Sequence, residues 1–233
     1  MSELPFVFLL PGMLCDAEVW HHQMRALAPC CRLSVPSFRS LASFEAMAGR
    51  VLGMAPERFS VVAHSMGGRV AMELMRMAPQ RIEHFVLMDM GVHPVAEGET
   101  ERNRRLLELA TTGGLEAVAD SWIPFMIHPD RYQDLALTAA IRQMVLRNDI
   151  ADLHNQLLAA ERRQDQSQYL SQISHKVHIV CGDSDNWNPP ELHQRMHRQL
   201  SNSELVILPH CGHMVPMEQP EQVTELLLRW LRE

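Results

Sequence analysis

Ser65 is the residue from which chemistry is most directly read. It follows Val61, Val62 and Ala63 and precedes Gly67 and Gly68 in VVAHSMGGRV. A β-branched run, a serine and small flanking residues describe a strand that turns sharply into a helix, with the serine at the turn. Positions two before and two after such a serine must be small, because the backbone passes close to itself there. Ala63 and Gly67 meet that need. A serine hydroxyl attacks a carbonyl only when a base takes its proton, and the base works only when a third group orients it. Two acids, Asp183 and Asp185, follow an apolar run in HIVCGDSDNWNPPE, and two histidines, His210 and His213, follow another in LVILPHCGHMVPMEQPEQV. Serine, acid and histidine thus come in that order, each just beyond a strand. Together they would perform acyl transfer.

Positioning such groups needs strand ends on one edge of a sheet. Short runs rich in Val, Ile, Leu and Phe predict strands at about 5–10, 32–36, 58–63, 83–88, 176–181 and 204–208. Helical spacing predicts helices at about 17–28, 43–53, 66–78, 190–200 and 219–231, several behind a capping residue or a first-turn proline. The alternation implies a parallel sheet covered by helices, whose crevice lies beyond the carboxyl ends of its strands. The rhythm breaks at 93–170, which carries helical pattern punctuated by Gly113, Gly114, Pro124 and Pro129 and no convincing strand. It is read as a helical insertion, a cap, in a core made of 1–92 and 171–233.

With these residues in view, the chain resembles the α/β-hydrolase superfamily, in particular its small capped serine esterases. The resemblance runs over nearly the whole sequence and is carried by LLPGMLCDAEVW, VVAHSMGGRVAMELMRMAPQRI, VCGDSDNWNPPE and HCGHMVPMEQPEQV. It implies that Ser65 is the nucleophile. The family's G-x-x-D followed by proline matches Gly182, Asp185 and Pro189, implying Asp185 as the orienting acid. Its G-H step matches Gly212 and His213, implying His213 as the base. The resemblance also implies an oxyanion hole from the backbone N–H groups of Met13 and Met66. Pro11 departs from the family's usual histidine in the loop after the first strand, and the segment after the second strand is shortened. The chain begins at the strand before the oxyanion loop, which implies a mainly parallel sheet of about six strands. On this reading Asp183 caps or faces solvent, and His64 packs or hydrogen-bonds, since side chains adjacent in such a turn point in different directions.

Composition narrows the partners. A formal charge of −7 among 233 residues disfavours a nucleic-acid partner. No apolar run reaches the ~18 residues of a membrane span, and the five cysteines follow no metal-finger spacing, so a reduced, cytoplasmic protein is expected. His193 and His197 stand four apart on a predicted helix but lack the glutamate of H-E-x-x-H, and are read as a surface face with no metal. The expected substrate is a small, fairly apolar ester, cleaved without a cofactor, with Leu14, Trp122, Phe125, Trp187 and Met214 expected around the acyl group. A lactonase, a thioesterase or a carbon–carbon bond hydrolase would use the same triad. A non-catalytic ligand receptor would keep the same fold.

Overall fold

The computed structural model describes residues 4–232, so residues 1–3 and 233 of the expected core lie outside the described residues. Its strands are β1 (Phe6–Leu10), β2 (Arg32–Ser34), β3 (Phe59–His64), β4 (Ile82–Met88), β5 (Val177–Gly182) and β6 (Ser203–Leu208). They form one sheet in the order β2-β1-β3-β4-β5-β6, every neighbouring pair parallel. Every residue of β3 and β5 is buried, as strands between two helical layers must be. The chain steps from β1 outward to β2 and then returns to the far side of β1 for β3. The sheet therefore has its topological switch between β1 and β3, the point at which open parallel sheets place their ligand sites. Ser65 and the Pro11–Met13 turn stand on either side of it.

The helices are α1 (His21–Leu27), α2 (Phe44–Met54), α3 (Met66–Met77), α4 (Glu99–Met126), α5 (Leu135–Leu146), α6 (Ile150–Glu161), α7 (Pro190–Gln199), α8 (Val215–Glu218) and α9 (Pro220–Trp230). The helix expected at 17–28 splits. Asp16 accepts from the Glu18 N–H and caps a short 3-10 turn over Ala17–Trp20, and α1 follows it. The four residues of α8 are too few to show helical periodicity, so the sequence gives no sign of it. One face of the sheet packs Phe8, Leu10, Val61 and Phe85 against Met47 and Val51 of α2, Val70 and Leu74 of α3, and Met196 of α7. The other packs Val7, Leu9, Val62 and Val180 against Leu27 of α1 and Val223, Leu227 and Trp230 of α9. Each such side chain taken fully from water contributes about 1.5–3 kcal/mol.

Among the described residues, 93–170 hold α4, α5, α6 and 3-10 turns but no strand. Gly114, at φ 72°, breaks α4 into two helical runs, and Pro124 lies near its end. Asp149 and Asp152 form a reciprocal capping box at the start of α6. Ala110, Leu115, Val118 and Ala119 of α4 pack on Val145, Leu153 and Leu157 into a separate small core. Leu14, from the loop after β1, is buried in the same cluster.

Candidate active site

Ser65 sits between β3 and α3 at φ 52° and ψ −119°, a left-handed backbone that L-residues adopt at a cost of about 1–3 kcal/mol. Its N–H donates to the Met88 carbonyl at 2.9 Å, tying the turn to the neighbouring strand. Gly67 is required by the crossing chain, since a Cβ there would stand 2.4 Å from the Leu10 carbonyl oxygen. Gly12 approaches from the other side, where a Cβ would lie 3.2 Å from the Ser65 Cβ. The turn thus lifts the Ser65 side chain to a half-buried position beside the Pro11–Met13 loop.

The Ser65 Oγ stands 2.8 Å from His213 Nε2, and His213 Nδ1 stands 2.8 Å from Asp185 Oδ2. A carboxylate only accepts, so Nδ1 carries the proton and Nε2 is free to accept from the serine hydroxyl. The second oxygen, Oδ1, accepts the N–H groups of Trp187 at 2.8 Å and Asn188 at 2.9 Å. Burial alone would push Asp185 up, but the adjacent imidazole and these hydrogen bonds outweigh it and hold its carboxyl below the usual carboxylate range. Asp183, two residues away, is exposed and accepts instead from the N–H groups of His210 and Cys211. The structure brings Asp185 and His213 to Ser65 and leaves Asp183 and His210 outside that group.

The loop that carries His213 is fixed at four consecutive peptides. Glu218 accepts from the N–H groups of Gly212 at 3.0 Å and Met214 at 3.1 Å. The His213 N–H donates to the Met126 carbonyl at 2.7 Å, and the Val215 N–H donates to Asp89 Oδ2 at 3.2 Å. From the other side, His64 Nε2 donates to the His213 carbonyl at 2.8 Å. Burial pushes His64 down to about 3, so this ring stays neutral. Asp89 and Glu218 are fully buried and pushed up, first by burial, and both spend their oxygens on backbone N–H groups. Sequence reading missed both. A lone acid at the end of an apolar strand (Asp89) and one closing a four-residue helix (Glu218) look solvent-facing until the fold encloses them.

Met66 is the first residue of α3, so its N–H has no partner within the helix and lies at the positive end of the helix dipole. Met13 belongs to a turn closed by the Cys15 N–H donating to the Gly12 carbonyl. Leu14, at φ 53°, is held on both sides of its peptide: its N–H donates to Gln156 Oε1 at 2.8 Å, and its carbonyl accepts from Asn148 Nδ2 at 2.9 Å. Both partners belong to the inserted helical region. Gln156 lies three residues after Leu153 and beside Leu157 on the buried face of α6, and a polar residue on an apolar stripe is the signal that could have revealed it.

Of the residues expected around the acyl group, the structure brings Trp187 to the imidazole, with Trp122 behind it. The Trp187 ring meets the His213 ring edge-on at 4.7 Å, and Trp122 meets Trp187 at 5.3 Å. Leu14 and Met214 are fully buried within packed clusters, and Phe125 is 57% exposed. The expected surface face on α7 is corrected at His193. That side chain is fully buried, and its Nε2 accepts the Met90 N–H at 3.1 Å because α7 presses it onto the chain leaving β4. His197 bonds Ser203 instead.

Comparison with known proteins agrees with this architecture. A family model described as alpha/beta hydrolase family matches residues 7–226. The pimeloyl-[acyl-carrier protein] methyl ester esterase of Nitrosomonas europaea is 25% identical over 248 residues, covering 94% of this chain and 92% of that protein. A Bacillus subtilis protein provisionally named 2-succinyl-6-hydroxy-2,4-cyclohexadiene-1-carboxylate synthase is 28% identical over 182 residues, which is 75% of this chain but only 66% of its own length. The solved structure of a thermophilic esterase from Thermogutta terrifontis is 27% identical with a TM-score of 0.87, covering 99% of this chain and 90% of that one.

Proposed function

The chain belongs to the alpha/beta hydrolase family and is a hydrolase, and we propose that it cleaves a small, fairly apolar ester through an acyl-enzyme formed on Ser65. His213 Nε2 takes the serine proton as Oγ attacks the carbonyl carbon, then returns it to the leaving alcohol. A water molecule repeats the sequence in reverse and frees the acid. Asp185 holds Nδ1–H toward itself and stabilises the imidazolium that forms in each step. The N–H groups of Met13 and Met66 receive the developing oxyanion, each worth about 3 kcal/mol in such chemistry. Every proton and electron pair is then carried by these residues and water, so no cofactor is required. The single observation that supports this reading most is the unbroken path from Ser65 Oγ through His213 to Asp185, each link 2.8 Å.

Residues 93–170 serve in this reading as the cap, with Trp122 and Trp187 forming an aromatic wall beside His213. An apolar wall suits a short or medium acyl group, and the names of the Nitrosomonas and Thermogutta relatives favour an ester over other acyl bonds. Among the described residues no helix is long and apolar enough to cross a membrane. With all five cysteines free, a reduced, cytoplasmic setting fits. The test is a screen of p-nitrophenyl esters, methyl esters, lactones and acyl thioesters, paired with fluorophosphonate labelling. Ester turnover and labelling should both vanish in Ser65→Ala, with activity down about 10⁴-fold or more. Labelling without turnover of any substrate would favour a ligand receptor instead.

A further inference from the structure

We propose that His128, Asp130 and His210 form a binding site for zinc or a similar borderline divalent cation, bridging the segment after α4 to the loop that carries His213. Nδ1 of His128 and Nδ1 of His210 each lie 3.5 Å from the same carboxylate oxygen, Oδ2 of Asp130. One ligand atom from each of the three lies within 4.8 Å of the others. A tetrahedral ion with bonds of about 2.0–2.1 Å holds its ligand atoms about 3.4 Å apart, so the two measured separations already match. Two imidazoles and one carboxylate form a mixed nitrogen and oxygen set that suits zinc, nickel or copper and is poor for calcium or magnesium. Three protein ligands leave the fourth position to water.

Two of the three ligands rise from fixed backbone. His210 is at φ 51°, and its N–H and that of Cys211 are both held by Asp183. The His128 N–H is held by Glu218 Oε2 at 2.7 Å. Ion binding therefore has to order only Asp130, which is exposed, and the His210 ring. It displaces one weak bond, from the Asp130 N–H to His128 Nδ1 at 3.2 Å. The site lies across the seam where the Gly212 backbone touches the Met126–His128 backbone, so the ion clamps that seam while leaving the Ser65, His213 and Asp185 group intact.

The test uses the full chain after treatment with chelator, titrated with zinc chloride by calorimetry and followed by thermal unfolding. One ion per chain should bind and raise Tm. Asparagine substitutions keep the backbone as it is, since Asn tolerates the left-handed conformation at 210 and can still cap at 128. His210→Asn, Asp130→Asn and His128→Asn should each weaken binding by about tenfold or more and remove the rise in Tm, with ester turnover in the absence of zinc unchanged. Cobalt(II) should give the strong visible bands of a tetrahedral site, lost in the same three variants. Absence of saturable one-to-one binding would overturn the proposal. So would binding that survives all three substitutions, which would put the ion elsewhere.

Discussion

The sheet edge and the inserted helices both shape the surroundings of Ser65, but they are built by different means. On the sheet edge, position follows from strand register and from backbone contacts so close that only certain residues fit. Gly67 lies under the Leu10 carbonyl, and a Cβ on Gly182 would stand 2.1 Å from the Gly212 carbonyl oxygen. Four consecutive N–H groups around His213 are each held by a group remote in sequence or enclosed in the core. The insertion gives one backbone group to that loop, the Met126 carbonyl that accepts the His213 N–H, and otherwise meets the site through side chains. Gln156 and Asn148 grip Leu14, and Trp122 leans on Trp187. One half is therefore fixed in geometry and intolerant of change; the other can be retuned residue by residue.

The largest contrast lies within the rigid half, between two carboxylates two residues apart. Asp185→Asn should lower kcat by about 10⁴-fold, because an amide can no longer set the imidazole tautomer. Asp183→Asn should leave kcat within a few-fold, since Asp183 only holds the His210 and Cys211 N–H groups. It should cost about 1–2 kcal/mol of stability for the weakened loop. Steady-state kinetics and urea unfolding of the two variants decide the matter. A reversed order of severity would move the acid to Asp183.

Acid should next find the same half vulnerable. His64 and His193 are buried, and burial pushes them down to about 3 and about 4. In the unfolded chain both titrate near 6.5. Between those values the unfolded state binds protons that the folded state refuses, so stability is complete above about 6.5 and falls as pH falls below it. Each group contributes a slope of about 1.4 kcal/mol per pH unit. Asp185 works in a lower window: its depressed carboxyl adds stability that is lost only as pH drops beneath the ordinary carboxylate range. Urea unfolding at pH 7.5 and 5.0 should therefore differ by up to about 4 kcal/mol from the two histidines together. The raised Asp89 and Glu218 carboxyls act with the opposite sign, favouring the fold as pH falls. The comparison is therefore made with His64→Gln and His193→Gln; a variant whose profile matches the parent's would mean that its ring charges in place.

The same division governs what was legible in the sequence. All six strands, and five of the helical segments, were readable because buried parallel strands are continuously apolar and surface helices keep a regular stripe. Ser65, Asp185 and His213 stood out through local steric and order constraints and through the resemblance they carry. Gln156, Asn148, Asp89 and Glu218 did not, because the partners that matter are remote: 142 positions for Gln156, 134 for the Asn148 bond to Leu14, 93 and 126 for Asp89, and 90 for the Glu218 bond to His128. His193 was misread as surface for the same reason: its burial is decided by the chain leaving β4, about a hundred residues earlier. Phe125 and Trp122 are close neighbours on α4 yet differ in exposure, since apolar type alone does not say which side of a broken helix faces the core.

Where the two halves meet, Gln156 offers an intermediate effect. Gln156→Leu removes the acceptor for the Leu14 N–H in a buried setting, a loss worth about 1–3 kcal/mol. The loop holding Met13 should relax, so kcat should fall by roughly tenfold or more with KM little changed, because an oxyanion donor acts only in the transition state. Gln156→Glu keeps an oxygen acceptor and should recover most of the rate. A rise in KM alone would make Gln156 part of substrate binding and leave the loop position out of the account.

The smallest effect should come from the aromatic wall. Trp122 meets the Trp187 ring, which stands against His213, and Phe125 is 57% exposed. Trp122→Ala should open space beside His213 and move the preferred acyl chain toward longer esters. Each further buried methylene is worth about 0.8 kcal/mol, a factor of about four in kcat/KM, until the pocket fills. Phe125→Ala should leave the profile where it was. Kinetics over a C2 to C12 p-nitrophenyl ester series would show the shift as a displaced maximum with fluorophosphonate labelling of Ser65 intact. A maximum displaced by Phe125→Ala and untouched by Trp122→Ala would mean that the insertion turns its other face to the substrate.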